Sequence, residues 1–171
     1  MKIATYNING IKARLPRLKE WLEETRPAVA CLQEVKSQDK DFPASEFQEL
    51  GYKPVWHGQK AFNGVAVLVD TKAGYSVEEV QRGLGIDGPK EDEGEQARYL
   101  ECDVTGENGA TTRIVCIYLP NGNPHPGPKF DYKLAWMEKL RARMATIWAE
   151  EVPAAVLGDF NVIPEDDDVY S

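Results

Sequence analysis

Two apolar patterns with different periods alternate in the first third of the chain, and their order limits the fold more than any other feature. Residues 2–7 form a short strand-like segment that leads into a turn at residues 7–10. Four apolar residues then recur at helical spacing: Ile11, Leu15, Leu18 and Leu22. Pro27 closes this helix, and the continuous apolar run at residues 28–32 is typical of a buried parallel strand. The order strand, helix, strand predicts a right-handed crossover and an α/β fold.

The rest of the chain continues the mixture of strands and helices. A short helix is predicted from Phe42-Pro43 to Leu50-Gly51. Residues 83–96 are rich in glycine, proline and acidic residues, and are expected to form a mobile loop. Further strands are predicted at residues 52–57, 64–69, 75–80, 99–104, 113–119 and 152–157. A long amphipathic helix is marked by Phe130, Leu134, Met137, Leu140, Met144 and Ile147. Eight strand-like segments around such helices fit one α/β domain or a large part of one.

Charge and cysteine content exclude some classes of protein. The net charge of −8 disfavours a protein that coats nucleic acid passively, but two acidic runs, at residues 91–95 and 165–168, supply much of it and are expected to be solvated loops. Three isolated cysteines, Cys31, Cys102 and Cys116, lie inside apolar stretches and are expected to be reduced core residues of a cytoplasmic protein. No apolar run is long enough to cross a bilayer, and the segment after Met1 is strand-like rather than a signal peptide.

Polar residues follow four of the predicted strands at the point where each strand ends. They are Asn7 and Asn9, Gln33 and Glu34, Tyr118 and Asn121, and Asp159 and Asn161. Ligands of α/β proteins gather at the carboxyl ends of strands. The carboxylates of Glu34 and Asp159, with the amide oxygens of Asn7 and Asn161, suit a hard divalent metal ion.

Each of these residues also has a purely structural explanation. Asn7 and Asn9 are common turn residues, and Glu34 can pair with Lys36 or an arginine. Tyr118 can be a half-buried core residue, and Asp159 can cap a turn or helix. The structural explanations together require four independent coincidences at one edge of one sheet, which favours a common site.

The motifs carried by these residues resemble those of the exodeoxyribonuclease III family. Their sequences are ATYNING at residues 4–10, LQEVK at 32–36, YLPNG at 118–122 and GDFN at 158–161. The first and last motifs also occur in other members of the endonuclease/exonuclease/phosphatase superfamily, whereas the middle two narrow the resemblance to its DNA-repair branch. The resemblance implies a deoxyribonuclease I-like four-layer sandwich, two sheets flanked by helices. It covers the whole chain, including KFDYK at residues 129–133.

The resemblance implies a role for each residue at the strand ends. Glu34 would be the principal ligand of Mg²⁺, with Mn²⁺ as an alternative, and Asn7 would support it. Asp159 would orient and deprotonate the attacking water, and Asn161 would donate to the phosphate and orient Asp159. Asp159 and Asn161 would also be ligands of the metal. Tyr118 would stabilise charge near the scissile phosphate.

The substrate implied is duplex DNA with abasic sites or 3′ ends, cleaved by a protein that is a monomer in its complete form. Asn9, Lys12 and Asn121 are expected to contact the DNA, with Arg14 a further candidate and Arg98 a weaker one. For Lys12 and Arg14 a solvated helix face remains the alternative.

The family pattern also continues past Ser171 with a further aspartate and a Ser-Asp-His motif, which neither His57 nor His125 matches. Both histidines are therefore expected to have structural or incidental roles. We thus expect residues 1–171 to be a single incomplete domain, with most of the second sheet missing and an exposed apolar face that makes the chain marginally stable. The alternatives are an inactive fragment with residual metal or DNA binding and, less favoured, a phosphatase acting on a small phosphate.

Overall fold

The computed structural model describes residues 1–90 and 94–168. Within them the strands are Ile3–Asn7 (β1), Val29–Gln33 (β2), Tyr52–His57 (β3), Val65–Asp70 (β4), Ser76–Arg82 (β5), Tyr99–Thr105 (β6), Thr111–Tyr118 (β7) and Ala154–Asp159 (β8). The helices are Ile11–Thr25 (α1), Ala44–Glu49 (α2) and Pro128–Ala149 (α3), with 3₁₀ turns at Asp39–Asp41 and Asp166–Asp168. Every strand and helix predicted above is present, with boundaries shifted by a few residues.

The strands form two four-stranded sheets, in the orders β1-β2-β4-β3 and β5-β6-β7-β8. The pairs β1–β2 and β7–β8 are parallel, and each is connected through a helix, α1 or α3. All the other pairs are antiparallel. Each sheet therefore contains one β-α-β unit, and the carboxyl ends of its two parallel strands lie side by side.

Alternating side chains assign each face of the sheets to a separate core. In β2, Ala30 and Leu32 pack under α1 and α2, whereas Val29 and Cys31 face the second sheet. The second sheet packs its other face against α3. The layer order is therefore helix, sheet, sheet, helix, which confirms the predicted four-layer sandwich. In the described residues the second sheet has four strands, because β5, β6 and β7 join β8 rather than the first sheet. The expectation that most of this sheet is missing stays a prediction.

Helix α3 buries a face that only partly matches the predicted one: Leu140 and Ile147 are buried as predicted, whereas Leu134 and Met137 are not. Leu134 and Met137 are 50% and 39% exposed, whereas the buried residues are Tyr132, Trp136, Leu140 and Ile147. The helix carries two overlapping apolar stripes, and the stripe with the two large aromatic rings covers the sheet. Burying large rings removes more apolar area from water than burying Leu134 and Met137 would.

Charged and polar loops match the predictions only in part. In the predicted mobile loop, the Glu95 carboxylate accepts hydrogen bonds from the backbone N–H groups of Leu84 and Gly85, and Asp87 bridges to Glu95. Residues 91–93, the centre of one acidic run, lie outside the described residues. In the other run, Asp167 and Asp168 are exposed, as expected of a solvated segment.

The predicted core position of the three cysteines is confirmed, because all three are buried and none forms a disulfide. No helix in the described ranges is both long and apolar enough to span a membrane. An exposed apolar segment follows β8, where Phe160, Val162 and Ile163 are 42%, 54% and 59% exposed. Marginal stability of the 171-residue chain remains a prediction, and this segment is the surface that favours it.

Candidate active site at four strand ends

The side chains predicted at separate strand ends meet in one cluster between the two sheets. Asn7 ends β1, Glu34 follows β2, Tyr118 ends β7 and Asp159 ends β8. Because both parallel pairs direct their carboxyl ends to the same edge of the sandwich, four distant segments of sequence come together there. Gln33 is buried at the floor of the same cleft and donates to Thr5 Oγ1 at 3.0 Å, which links β2 to β1.

Asn7 joins the two carboxylates of the cluster. Its Nδ2 donates to Glu34 Oε1 at 2.9 Å and to Asp159 Oδ2 at 2.8 Å. Its Oδ1 accepts the backbone N–H of Asn9 at 3.1 Å. Asn7 thus acts both as the predicted turn residue and as a link across the two sheets. In this arrangement the Asn7 amide donates its N–H groups to the two carboxylates. Asn7 would therefore support a metal ion by orienting Glu34 and Asp159.

Glu34 is held by three different donors. Its Oε2 lies 2.8 Å from Lys36 Nζ, and its side chain also accepts from Asn7 and from the Tyr118 hydroxyl. Partial burial opposes its charged form, but these donors outweigh burial, and the pKa of Glu34 is held below its ordinary value. The pairing with Lys36 considered from the sequence is therefore real, and it coexists with the cluster.

Glu34 and Lys36 both have left-handed backbone conformations, with φ of 52° and 51°. Side chains other than glycine, asparagine and aspartate rarely adopt this region, and each such residue costs about 1–3 kcal/mol. The loop after β2 therefore holds the two side chains against the cluster by a strained backbone. Strain of this kind is found most often at functional sites.

Tyr118 is half-buried and its ring is covered by Arg98. The guanidinium carbon of Arg98 lies 4.7 Å from the ring centroid, and Nη1 donates to the Tyr118 carbonyl oxygen at 3.1 Å. Burial, together with the negative charge of Glu34, raises the pKa of the Tyr118 phenol, although the charge of Arg98 opposes this. The hydroxyl therefore remains a proton donor at neutral pH.

Asp159 is held in one orientation by neutral N–H donors. The backbone N–H of Asn161 donates to Asp159 Oδ1 at 2.9 Å, and Asn161 Nδ2 donates to the Leu119 carbonyl at 2.7 Å. Only one of the two Nδ2 hydrogens is needed for that bond, and the other remains available for a phosphate oxygen. Gly158 makes the approach of β8 possible, because a Cβ there would lie 2.0 Å from the Ile117 carbonyl oxygen.

The residues predicted to contact DNA lie around this cluster. Asn9 Oδ1 accepts from Lys36 Nζ at 2.5 Å, and the Asn9 carbonyl accepts from Arg14 at 2.5 Å. Lys12 is exposed on the first turn of α1, and Asn121 is exposed in the loop after β7. Arg98 is half-buried and contacts Tyr118, and its weaker candidacy as a phosphate contact stays a prediction.

A cleft of about 630 Å³ opens beside the cluster, and Asn7, Asn121, Asp159 and Asn161 line it. No group of three or more histidine, cysteine, aspartate or glutamate side chains arranged to hold a metal occurs in residues 1–90 and 94–168. Two carboxylates with nearby amides fit Mg²⁺, because this ion is commonly held by one or two carboxylates and keeps several waters. The donor set does not fit a structural zinc site, which requires four nitrogen or sulfur ligands.

A model of the endonuclease/exonuclease/phosphatase family matches residues 4–171. The chain belongs to this family. Among curated relatives, exodeoxyribonuclease III of Haemophilus influenzae is 34% identical over 170 residues, which are 99% of this chain and 60% of the relative. The DNA repair nuclease APEX1 of Danio rerio is 27% identical over 175 residues, or 99% of this chain and 51% of the relative. The chain thus spans about half to three fifths of the length of these relatives.

Solved structures of family members have the same fold. A 3′-5′ exonuclease from Neisseria meningitidis superposes with a TM-score of 0.83 at 33% identity, over 99% of this chain and 61% of the other. An AP endonuclease from Archaeoglobus fulgidus gives a TM-score of 0.77 at 32% identity, over 100% and 61%. These likenesses confirm the resemblance inferred from the four motifs and the fold class that it implied.

Two residues that matter to the geometry were missed or undervalued in the sequence. Lys133 Nζ donates to the carbonyl oxygens of Asn161, at 2.7 Å, and Asn121, at 3.3 Å. Lys36 contacts both Glu34 and Asn9, although the sequence suggested it only as a structural partner of Glu34. The one sequence signal for Lys133 is its place in the KFDYK motif. His57 lies in β3 and His125 packs edge-on against Phe130, consistent with the structural roles expected for them.

Proposed function

We propose that this chain carries the catalytic cluster of a Mg²⁺-dependent DNA-repair phosphodiesterase that cleaves duplex DNA at abasic sites and removes nucleotides from 3′ ends. The observation that carries the proposal is the single amide of Asn7, which donates to both Glu34 and Asp159. The names of the relatives, an exodeoxyribonuclease III and several AP endonucleases, support this substrate class.

Phosphodiester hydrolysis requires an in-line nucleophile, neutralised charge on the phosphoryl oxygens and a stabilised leaving group. Asp159 is oriented by two N–H donors, and in the proposal it accepts a proton from the attacking water. The remaining N–H of Asn161 donates to a phosphoryl oxygen, and the single O–H of Tyr118 turns from Glu34 to donate to another. Glu34, supported by Asn7, would hold the Mg²⁺ ion. When bound, Mg²⁺ neutralises charge on the phosphate and on the leaving 3′ oxygen.

Contacts with the rest of the DNA are proposed for the exposed rim of the cleft. Asn9 and Asn121 present amide groups on the loops after β1 and β7, and Lys12 lies exposed on the first turn of α1. Such groups suit phosphate and sugar contacts, which position a duplex without reading its sequence. The net charge of −8 makes binding depend on these few donors and on the metal rather than on a broad basic surface.

The test is cleavage of a duplex with one abasic analogue by the gene product that contains this chain, with and without Mg²⁺. Glu34→Ala is expected to lower the rate by on the order of 10²–10³-fold, because the variant would hold Mg²⁺ poorly and so lose an electrostatic contribution to the transition state. Glu20→Ala is the matched control, because Glu20 is an exposed carboxylate on α1. Cleavage that persists at the normal rate in Glu34→Ala, or without any divalent ion, would contradict the proposal.

A second candidate activity is removal of a 3′ phosphate from DNA. One solved neighbour, with a TM-score of 0.80 at 31% identity, is described as a 3′ phosphatase from Neisseria bound to a product DNA hairpin. The same groups could hydrolyse a terminal phosphate, since the attacking water and the donors would act on the same phosphorus. A duplex ending in a 3′ phosphate, assayed beside the abasic duplex, distinguishes the two activities.

A further inference from the structure

Lys133 connects helix α3 to two loops of the catalytic cluster. Its ammonium group donates to the carbonyl oxygen of Asn161 at 2.7 Å and to that of Asn121 at 3.3 Å. Asn121 lies in the loop after β7, and Asn161 lies in the loop after β8. One side chain therefore joins the segment that follows Tyr118 to the segment that follows Asp159.

The loop after β7 is shaped to close over the Lys133 side chain. Gly122 is buried and has a φ of +82°, a conformation that favours glycine. A Cβ at this position would lie 2.7 Å from Lys133 Cδ, so any larger residue would push the aliphatic stem away. This close packing fixes the ammonium group between the two carbonyl oxygens.

The peptide of Asn161 is the part of the site that this contact controls. Asn161 has a left-handed backbone, with a φ of 46°, and its N–H orients the Asp159 carboxylate. Its side chain is bonded to the Leu119 carbonyl, and its own carbonyl accepts from Lys133. Without Lys133 the Asn161 carbonyl oxygen loses its charged donor. The Asn161 N–H, which orients the Asp159 carboxylate, then becomes more mobile.

The other end of α3 is anchored by a buried ion-pair network. Arg143 Nη2 lies 2.6 Å from Glu101 Oε1 in β6, and Glu150 Oε2 lies 2.5 Å from Arg113 Nη1 in β7. Bidentate and buried pairs of this kind fix geometry more firmly than exposed ones. The helix is thus held against the second sheet near its carboxyl end, while Lys133 reaches the site loops near its amino end.

We propose that Lys133 is a positioning residue, which sets the orientation of Asp159 through the Asn161 turn and does not touch the substrate. This inference deepens the proposed function and rests on it. Three alternatives exist for a lysine at this place: a DNA phosphate contact, a contributor to folding stability only, or a surface residue without effect. Each predicts a different outcome in one set of measurements.

The variants are Lys133→Met, Lys133→Arg and, as the matched control, Lys139→Met, since Lys139 is exposed on the same helix. Lys133→Met is expected to lower kcat for abasic-site cleavage by about 10–100-fold, the range found for groups that orient a catalytic ligand, with KM changed less than about twofold. Lys133→Arg is expected to recover most of the loss, because it keeps the charge and the donors. Lys139→Met is expected to match the wild type.

Salt dependence separates positioning from phosphate contact. A lost phosphate contact would raise KM and reduce the slope of log affinity against log salt by about one, whereas lost positioning leaves the slope unchanged. A reduced slope with unchanged kcat would overturn the inference. So would a lower Tm with unchanged kcat, which is the result of a purely structural role.

Hydrogen exchange tests the Lys133 contact without any substrate. A negative result therefore contradicts the Lys133 inference without contradicting the proposed function. In Lys133→Met the amides of Leu119 and Asn161, both hydrogen-bonded to Asp159, are expected to exchange faster than in the wild type and in Lys139→Met. Unchanged exchange would overturn the Lys133 inference whatever the protein cleaves. A wild type that cleaves neither DNA substrate would instead overturn the proposed function.

Discussion

Glu101 and Glu34 are both carboxylates held by basic side chains, yet their surroundings differ in kind. Glu101 is fully buried between the second sheet and α3, where Arg143 donates two hydrogen bonds at 2.6 and 2.9 Å and the Tyr99 hydroxyl donates one at 2.6 Å. Glu34 is 21% exposed and has one cation, Lys36, with neutral donors from Asn7 and Tyr118. Its neighbour Asp159 accepts from two neutral N–H groups.

The difference teaches how to separate a structural carboxylate cluster from a reactive one. Around Glu101, rigid guanidinium groups satisfy the buried charge, and the network fixes a helix to a sheet. Around Glu34 and Asp159, the one lysine, Lys36, pairs with Glu34, while Asp159 lines an open cleft. A pair that is short of positive charge can gain it from a divalent cation, whereas a saturated pair cannot.

The largest effect is expected for Asp159→Asn, which keeps the shape of the site but removes the proton acceptor. The rate of abasic-site cleavage at saturating DNA should fall by about 10³-fold, within the usual range for general base catalysis, with Tm nearly unchanged. Asp167→Asn, in an exposed acidic segment, is the control and should have no effect. A rate within tenfold of the wild type would show that Asp159 is not the base.

Glu101→Gln should have the opposite signature, because it breaks a buried pair remote from the chemistry. We expect the free energy of unfolding in urea to fall by about 3 kcal/mol, since the arginines keep their charge and lose a buried partner. Glu20→Gln, in an exposed pair with Arg17, should change it by about 0.5 kcal/mol or less. Equal stabilities of the two variants would remove the contrast between the clusters.

Tyr118→Phe should lower kcat by about 10–100-fold, because the phenol is one of several donors to the phosphoryl oxygens. KM should change little, since the ring and its contact with Arg98 remain. A variant that changes only KM would make Tyr118 a binding residue.

The smallest effect is expected in the pH dependence of stability. The fold holds the pKa of Glu34 below its ordinary value of 4.5. Its contribution to stability is therefore fully present above that value and is lost as pH falls through the lower, folded-state pKa. As pH falls from about 6 to about 3, the unfolding free energy of the wild type should decrease relative to that of Glu34→Gln. A difference that stays constant would contradict the charge assigned to Glu34.

Much of this structure could be predicted from the sequence because strands such as β2 and β4 are short, continuous apolar runs with clear ends. The same ends located the site, since carboxyl ends of parallel strands collect ligands. The buried face of α3 could not be predicted reliably, because Leu134 and Met137 match the helical period as well as Tyr132 and Trp136 do. The sequence pattern of β5, β6 and β7 does not show which sheet they join, because strand pairing depends on contacts between segments distant in sequence.

The supporting contacts of the site were the least predictable part. Lys133 acts on two backbone carbonyl groups, and such contacts leave no complementary residue in the sequence. The link made by Asn7 depends on how closely two separate sheets approach each other. The position of Arg98 over the Tyr118 ring likewise depends on the approach of two segments that are distant in sequence.

The most direct test of the cluster is where a divalent cation binds. Mn²⁺, titrated in place of Mg²⁺, broadens the NMR signals of nearby nuclei, and its effect on the backbone amides can be mapped along the chain. We predict that broadening begins at the ends of β1, β2, β7 and β8, around Asn7, Glu34, Tyr118 and Asp159, and is weakened by Glu34→Gln. Broadening that begins at the exposed carboxylates of Asp167 and Asp168, and is indifferent to Glu34→Gln, would contradict a cation site at the strand ends.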